Sequence, residues 1–322
     1  MKRLLYMIAV FVFVYCIYAV RSHMWPFFYL PYENYYFLSL PPSFWYAFIY
    51  TLLVIGFGIP AYRRWARHDI YQKWRYACLF FFQAVFFFFI PEVFARFIMK
   101  WPDYSRTYQL VYAWPLSWNA FFDHPPLFYY AWGIILSFVV IPIFVRWHGG
   151  GRYCSWICGC GAIAETLGDR WRHLSPKGER AKKYEVMGTY ILVCASIITA
   201  GVLLDIPVLK MLRPWYSWIV DFALVGLIPM ALYPFMGGKI WCRFWCPLAR
   251  VMHLLGKWYG TIKISANDKC IQCGDCSKYC EMGIDVMRYA KEGGSFTEKD
   301  ENCIACGICI TVCPKKVLKF ER

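Results

Sequence analysis

The sequence predicts a membrane protein with an all-α transmembrane domain and a small, cysteine-rich α+β domain at its C-terminal end. Three observations predict this fold class: 60% of the 322 residues are hydrophobic, only 17% are charged, and the composition changes abruptly near residue 264. Soluble domains are about 45–50% apolar and about 25% charged. This composition therefore excludes a disordered chain, a collagen, a coiled coil and a plain water-soluble enzyme.

The transmembrane domain is predicted from six apolar stretches, since about 20 such residues cross a bilayer. They cover residues 4–20, 44–60, 76–98, 127–145, 185–204 and 217–236. The first stretch follows Lys2 and Arg3, as the apolar part of a signal peptide would. No small-residue cleavage site follows it, so we interpret it as a retained helix. We therefore expect a six-helix domain over residues 1–263.

The net charge of +15 is distributed unevenly between the two sides of this predicted domain. Such a charge in a soluble protein would suggest nucleic acid, but in a membrane protein its position sets the topology. The connecting segments on the side of the N-terminus hold 20 Lys and Arg, whereas the opposite loops hold 5. The positive-inside rule then predicts that both termini are cytoplasmic. We expect the lipid bilayer as a partner and no nucleic acid.

Eight of the 16 cysteines form a repeated pattern in the domain predicted over residues 264–322. The spacing C-x2-C-x2-C-x3-C is that of bacterial ferredoxins, in which the fourth cysteine binds the other of two 4Fe–4S clusters. One predicted cluster therefore takes Cys270, Cys273, Cys276 and Cys313. The other takes Cys303, Cys306, Cys309 and Cys280. Glu281 stands where the pattern usually has Pro, so we expect a changed local turn but no lost cluster.

A second repeat follows the fourth and the sixth apolar stretch. Each copy reads Gly-Gly, a basic residue, an aromatic residue and then C-x3-C. Two thiols at i and i+4 on a helical turn share one face. The copies together offer four thiolates for an additional metal centre, from Cys154, Cys158, Cys242 and Cys246.

At these residues the chain resembles the membrane polyferredoxins that include NapH, the C-terminal part of NosR and the CcoG group. The resemblance covers about residues 127–322, with two C-x3-C-P motifs followed by a two-cluster ferredoxin domain. The first motif departs from the family pattern, because Gly159 replaces the Pro after Cys158 and Cys160 adds a third thiol. Cys160 is thus an alternative ligand. An extra metal centre, a redox dithiol and structural thiols all remain open for the C-x3-C pairs.

Ionisable residues and isolated cysteines outside the motifs give weaker indications of function. Glu92 and Arg96 are spaced to pair within an apolar helix, and Asp221 lies in the sixth stretch. All six His lie in loops or at helix ends, and C-x-x-C-H is absent, so bound haem is not expected. His148 and His253 flank the C-x3-C motifs and are most simply interfacial. Single cysteines in apolar spans pack as small hydrophobes; these are Cys16, Cys78 and Cys194.

The resemblance implies an electron-transfer subunit of a respiratory redox complex in a bacterial-type inner membrane. It would pass single electrons between the quinone pool and cytoplasmic or partner redox centres, a soluble ferredoxin among them. Whether the chain is itself an enzyme, and in which direction electrons flow, is left open by the sequence. One alternative is a metal-reducing maturation factor like the CcoG group. The other is a structural membrane anchor whose clusters only stabilise its C-terminal domain.

Overall fold

The computed structural model describes residues 3, 5–7, 9, 40, 42–101, 104–116, 121 and 126–321. Within them, five helical stretches are long and apolar enough to cross a membrane. They are Phe44–Trp65, Ile70–Ile98, Leu127–His148, Gly178–Leu203 and Pro207–Met236. These match five of the six predicted spans and confirm the fold class. The first predicted span, 4–20, lies almost entirely outside the described residues.

Most of these stretches combine several helical segments. The first is α1 (Pro42–Trp65), and the second is α2 (Ile70–Ala84) continued by a π-helix (Val85–Ile98). The third comprises α3 (Leu127–Ile135), a π-helix (Leu136–Val140) and α4 (Ile141–His148). The fourth comprises α7 (Gly178–Tyr184) and α8 (Met187–Leu203), and the fifth α9 (Pro207–Tyr216), a π-helix (Ser217–Leu227) and α10 (Ile228–Met236).

Shorter helices connect these stretches. A 3-10 helix (Tyr104–Leu110) precedes α3, and α5 (Gly150–Trp156), α6 (Gly159–Thr166) and a second 3-10 helix (Asp169–Leu174) follow α4. After α10 come a one-turn π-helix (Trp241–Trp245) and α11 (Pro247–Tyr259). Many large apolar side chains on the long stretches are exposed, among them Phe89, Ile143 and Ile197. A bilayer would cover these faces, since helices satisfy their own backbone groups in lipid.

The C-terminal domain is a small α+β unit, as predicted. Its strands are β1 (Lys263–Ala266), β2 (Ser295–Thr297) and β3 (Leu318–Glu321), and its helices are α12 (Asp275–Lys278), α13 (Val286–Lys291) and α14 (Ile308–Thr311). The strands form one antiparallel sheet in the order β2-β1-β3, with Ser265 opposite both Ser295 and Lys319.

One apolar core joins the two domains. The same buried cluster contains Val145 of α4, Trp241 after α10, and Ile264 and Phe296 of the sheet. The C-terminal domain is therefore packed against the membrane domain.

Candidate iron–sulfur site

Each C-x3-C motif begins directly after a helix that ends at a glycine with positive φ. Helix α4 ends at Gly149 (φ 85°) and α10 ends at Gly237 (φ 79°). A Cβ would strain both positions, so glycine allows the chain to turn from the span into the motif. Cys154 and Cys242 each follow their glycine by five residues, which sets the register of the repeat.

The sequence pattern suggested that the basic residues of the two copies, Arg152 and Lys239, are equivalent. This register shows that they are not. Lys239 corresponds to Gly151, and Arg152 corresponds to Ile240. Lys239 is 1% exposed, whereas Arg152 is half-buried. The two copies are therefore similar in backbone and different in what they contact.

The two cysteines of a pair do not lie on one continuous helix, contrary to our prediction. Cys158 and Cys246 each have extended backbone and precede the next helix, α6 or α11. Their N–H groups donate to the carbonyls of Tyr153 (3.0 Å) and Trp241 (2.9 Å), which are equivalent positions. Each pair thus consists of one thiol in a last helical turn and one at a helix N-terminus, where the helix dipole favours a thiolate.

We call Cys154, Cys158, Cys242 and Cys246 the paired thiols. All four are buried within the core shared by the two domains. Burial raises the pKa of Cys154, and the neighbouring Cys242 thiol raises it further. Burial likewise raises the pKa of Cys242 to about 12, whereas a hydrogen bond with Cys160 lowers that of Cys158 to about 7. The structure therefore brings the two copies of the motif close enough to interact.

The eight cysteines of the C-terminal domain surround two separate cavities. One is lined by Cys270, Cys273, Cys276 and Cys313. The other is lined by Cys280, Cys303, Cys306 and Cys309. Among the described residues, no three His, Cys, Asp or Glu side chains converge tightly enough to hold one metal ion. Thiolates around a 4Fe–4S cluster each bind a different iron, so four thiols spread around a cavity suit that cluster.

The cavity lined by Cys303 lies against the membrane domain. Ser155 of α5 donates from Oγ to the carbonyl of Ile304 over 2.7 Å. A Cβ on Gly151 would lie 2.2 Å from the carbonyl oxygen of Cys303, so only glycine permits this approach. The helix that carries Cys154 therefore packs directly on the loop that carries Cys303.

The start of α2 covers the same loop from another side. The Tyr71 hydroxyl donates to the carbonyl of Ala305 over 2.5 Å, and Gln72 Nε2 donates to the carbonyl of Cys306 over 2.8 Å. Asp69 caps α2 by accepting from the backbone N–H of Tyr71, and it also accepts from the hydroxyl of Thr311. The first residues of this span thus hold the loop through main-chain and side-chain hydrogen bonds.

A buried ionic network lies between the paired thiols and the C-terminal domain. Its centre is Glu165 of α6, which pairs with Arg75 (2.9 Å), Lys239 (3.1 Å) and Arg172. Burial alone would raise the pKa of Glu165, but these three cations hold it well below its usual range. Lys239 also donates to the carbonyl of Cys154 over 3.4 Å, so the network reaches the first motif.

Glu281 connects this network to the C-terminal domain. Its carboxylate lies 3.0 Å from Arg172 and accepts from the N–H of Gly238 over 3.1 Å, and its carbonyl accepts from the hydroxyl of Ser175. Burial raises the pKa of Glu281 to about 7 in spite of Arg172. The residue that departs from the ferredoxin pattern is therefore the contact between the turn after Cys280 and the membrane domain.

The residues of this network, apart from Glu281, were not identified from the sequence. The available signal was ionic residues inside apolar surroundings, as at Glu165 directly after Ala164 and Lys239 beside Gly238. The predicted pair of Glu92 and Arg96 does form, with 3.1 Å between the charged atoms.

The remaining residues that the sequence singled out lie apart from the paired thiols or in their surroundings. His148 is exposed at the end of α4, whereas His253 is buried in α11 and burial lowers its pKa to about 3. Cys78 is half-buried and Cys194 is exposed, as lipid-facing packing residues would be. Cys16 lies outside the described residues.

Known proteins resemble both parts of the chain. A family model described as a 4Fe-4S dicluster domain matches residues 263–320. The ferredoxin-type protein NapH of Haemophilus influenzae is 25% identical, over 58% of this chain and 68% of its own length. The putative electron transport protein YccM of Escherichia coli is 23% identical, over 56% of this chain and 52% of its own. The methylamine utilization ferredoxin-type protein MauN of Methylobacillus flagellatus is 23% identical, over 45% of this chain and 53% of its own.

The chain therefore spans about half to two thirds of the length of these relatives. No solved structure matches it. The dicluster domain matches the C-terminal part of the chain, and the relatives extend the similarity to the apolar helices. These similarities support a NapH-like family of membrane polyferredoxins.

Proposed function

We propose that this protein is the electron-transfer subunit of a respiratory complex and connects the quinone pool with partner redox centres on the side of its C-terminal domain. The similarity to NapH and YccM and the dicluster domain support a role in membrane iron–sulfur electron transfer. The observation that carries the finer proposal is the direct packing of α5 on the loop of Cys303, through Ser155 and Gly151. This packing would hold the paired thiols near the second cluster.

We assign the first cluster to Cys270, Cys273, Cys276 and Cys313, and the second to Cys280, Cys303, Cys306 and Cys309. The two cavities support this crossed assignment, because each is lined by one of these sets. Bound 4Fe–4S clusters supply one-electron exchange, with a potential set by burial and hydrogen bonds to sulfur. The chain contributes the thiolates, and Tyr71, Gln72 and Ser155 fix the loop around the second set.

We assign the paired thiols as an additional centre between the second cluster and the membrane, with Cys160 as an alternative ligand. Their burial in one core and their mutual electrostatic effect support this role. Lys239 lies next to Cys154 and would offset the negative charge that thiolates bring into an apolar site. Iron analysis tests this assignment: the C-terminal clusters alone give about eight irons per chain, and an iron-containing centre adds to that number.

The proposed orientation places both termini and the C-terminal domain in the cytoplasm of a bacterial-type inner membrane. The excess of Lys and Arg on that side, 20 against 5, supports it. Partner redox subunits, or a soluble ferredoxin, would then exchange electrons at the first cluster, where Cys273 is exposed.

The test is cluster reduction in purified protein reconstituted into lipid nanodiscs, followed by EPR. Menadiol or decylubiquinol should reduce the clusters of the intact protein, and dithionite should reduce them in every variant that holds them. Cys303→Ser removes the second cluster and should stop quinol-driven reduction of the first. Cys273→Ser removes the first and should leave quinol-driven reduction of the second intact. Clusters that accept electrons from dithionite but from no quinol would contradict the quinone role and favour a maturation factor.

A further inference from the structure

A surface groove of about 400 Å³ lies between the start of the fourth helical stretch and the end of the fifth. One wall comes from the residues just before α7, from α7 itself and from Met187 at the start of α8. The other comes from Met236 at the end of α10 and from the π-helix Trp241–Trp245. Because one spanning stretch begins here and another ends here, the groove lies where the membrane domain meets water.

The wall that includes α7 changes in character along its length. Lys177 and Arg180 are exposed cations near the start of α7. Tyr184 follows one turn later, and Met187 begins the apolar helix α8. Positions 180, 184 and 187 are three or four residues apart, so their side chains share one helix face, and all three line the groove. This face therefore passes from charged through aromatic to apolar in the direction of the membrane.

Apolar and aromatic side chains form the rest of the groove. Ile240 and Phe244 are buried at its base, and Trp245 beside them is half-buried. Tyr184, on the opposite wall, is 63% exposed. Tyr and Trp rings are enriched at the depth of lipid headgroups, because they have an apolar body and a polar edge. The pair of Tyr184 and Trp245 therefore places the middle of the groove at headgroup depth.

The positive charge of the groove is not balanced by carboxylates. No Asp or Glu is among the described residues that line it. The acidic residues of the same segment have partners elsewhere, since Glu179 lies 3.9 Å from Lys182 and Glu185 pairs with Arg243 over 2.7 Å. Across the described part of the chain, no carboxylate forms an ion pair with Arg180. The guanidinium is therefore open to an anion from outside the protein.

Lys177 connects the charged end of the groove to the C-terminal domain. Its ammonium group donates to the carbonyl of Cys280, and the neighbouring carbonyl of Pro176 accepts from Arg243 over 2.6 Å. An ammonium group has three donors, so Lys177 can bind an anion and keep its contact with Cys280. A ligand at this end would thus contact the segment that supports the turn after Cys280.

We infer that this groove binds an anionic phospholipid, with its phosphate at Arg180 and Lys177 and an acyl chain along Phe244 and Met187. A phospholipid has charge, polar glycerol and apolar chain in the order in which the groove presents their counterparts. Residues 177–183 hold four Lys or Arg, and such clusters at the aqueous end of a spanning helix attract acidic headgroups. Lipid binding does not require electron transfer, so this site goes beyond the proposed function.

The test is native mass spectrometry of the full-length protein in detergent, freed of co-purified lipid and titrated with dioleoyl phosphatidylglycerol or dioleoyl phosphatidylcholine. We expect one phosphatidylglycerol to bind more tightly than further copies and more tightly than phosphatidylcholine. Arg180→Gln should weaken phosphatidylglycerol binding about fivefold relative to phosphatidylcholine, the effect of one cation near an anionic surface. Lys257→Gln is the matched control, because it removes an exposed cation of α11 outside the groove.

Fluorescence quenching tests the location of the bound lipid. At one equivalent, phosphatidylglycerol that carries bromine on its acyl chains near the headgroup should quench part of the Trp fluorescence. Trp245→Phe should lack that quenched part. Trp258→Phe should retain it, because Trp258 is 79% exposed on α11 outside the groove. Iron content and dithionite-reduced EPR spectra verify that each variant is folded.

The inference is overturned if phosphatidylglycerol and phosphatidylcholine bind equally, because the cations would then select no headgroup. It is also overturned if either Arg180→Gln or Trp245→Phe behaves as the intact protein does, since the lipid would then bind elsewhere. Displacement of phosphatidylglycerol by inorganic phosphate at an equal concentration would mean that the groove binds a small anion and not a lipid.

Discussion

The two halves of the C-terminal domain have the same cysteine spacing but different surroundings. We call the half around Cys273 the solvent-facing half and the half around Cys303 the membrane-facing half. Cys273 is exposed, whereas Cys303 is buried and its loop contacts α2 and α5. The two halves therefore have the same cysteine spacing but differ in exposure and in their contacts with the membrane domain.

This difference indicates how a small ferredoxin unit can serve as one end of a membrane electron pathway. The membrane-facing half packs on the helix that carries Cys154, through Gly151 and Ser155. The other half leaves a cysteine open to a partner. Three predictions test this asymmetry, in order of decreasing expected effect.

The largest effect is expected at Glu281, which ties the membrane-facing half to Arg172 and Gly238. Glu281→Ala should lower the free energy of unfolding by about 3–5 kcal/mol, the usual cost of breaking a buried ion pair. Glu281→Gln should cost less, because it resembles the protonated acid and keeps an acceptor for Gly238. Thermal unfolding followed by cluster absorbance measures both.

The matched control is Glu321→Ala on β3, where the carboxylate pairs with the partly exposed Lys263. An exposed pair adds little stability, so this variant should unfold almost as the intact protein does. If Glu281→Ala and Glu321→Ala lowered the free energy of unfolding equally, the contact of Glu281 with the membrane domain would have no special role in stability.

A smaller effect is expected at Gly151, where an added Cβ would lie 2.2 Å from the backbone of Cys303 and Ile304. Backbone gives way less readily than a side-chain end, so Gly151→Ala should cost about 1–3 kcal/mol and slow quinol-driven cluster reduction. In the control Gly294→Ala, the added Cβ meets its nearest atom at an ordinary 3.6 Å. Stopped-flow reduction kinetics compare them, and unchanged kinetics in Gly151→Ala would show that this approach is not on the electron pathway.

The smallest effect is expected in the rates at which the clusters are lost. Ferricyanide with EDTA should remove iron in two phases of about four irons each, the faster one from the solvent-facing half. Exposure of Cys273 and burial of Cys303 and Cys309 are the reason. Cys273→Ser should lack the fast phase and Cys303→Ser the slow one. A single phase in the intact protein would mean that burial does not protect the second cluster.

Much of the architecture could be predicted because it depends on composition and spacing along the chain. Five of the six predicted spans are present as apolar helical stretches, and the small α+β domain follows them. The local course of the C-x3-C motifs was predicted less well. Cys158 and Cys246 begin new helices, and Lys239 corresponds to Gly151, because the glycines with positive φ set the register and sequence spacing does not show backbone conformation.

The sequence by itself determined that the protein spans a membrane and has the cysteines for two clusters, since hydrophobic length and ligand spacing are local properties of the chain. Only the tertiary structure decided which cluster faces the membrane and what surrounds the paired thiols. Arg75, Glu165, Lys239 and Glu281 come from distant parts of the chain, and burial makes their charges depend on one another.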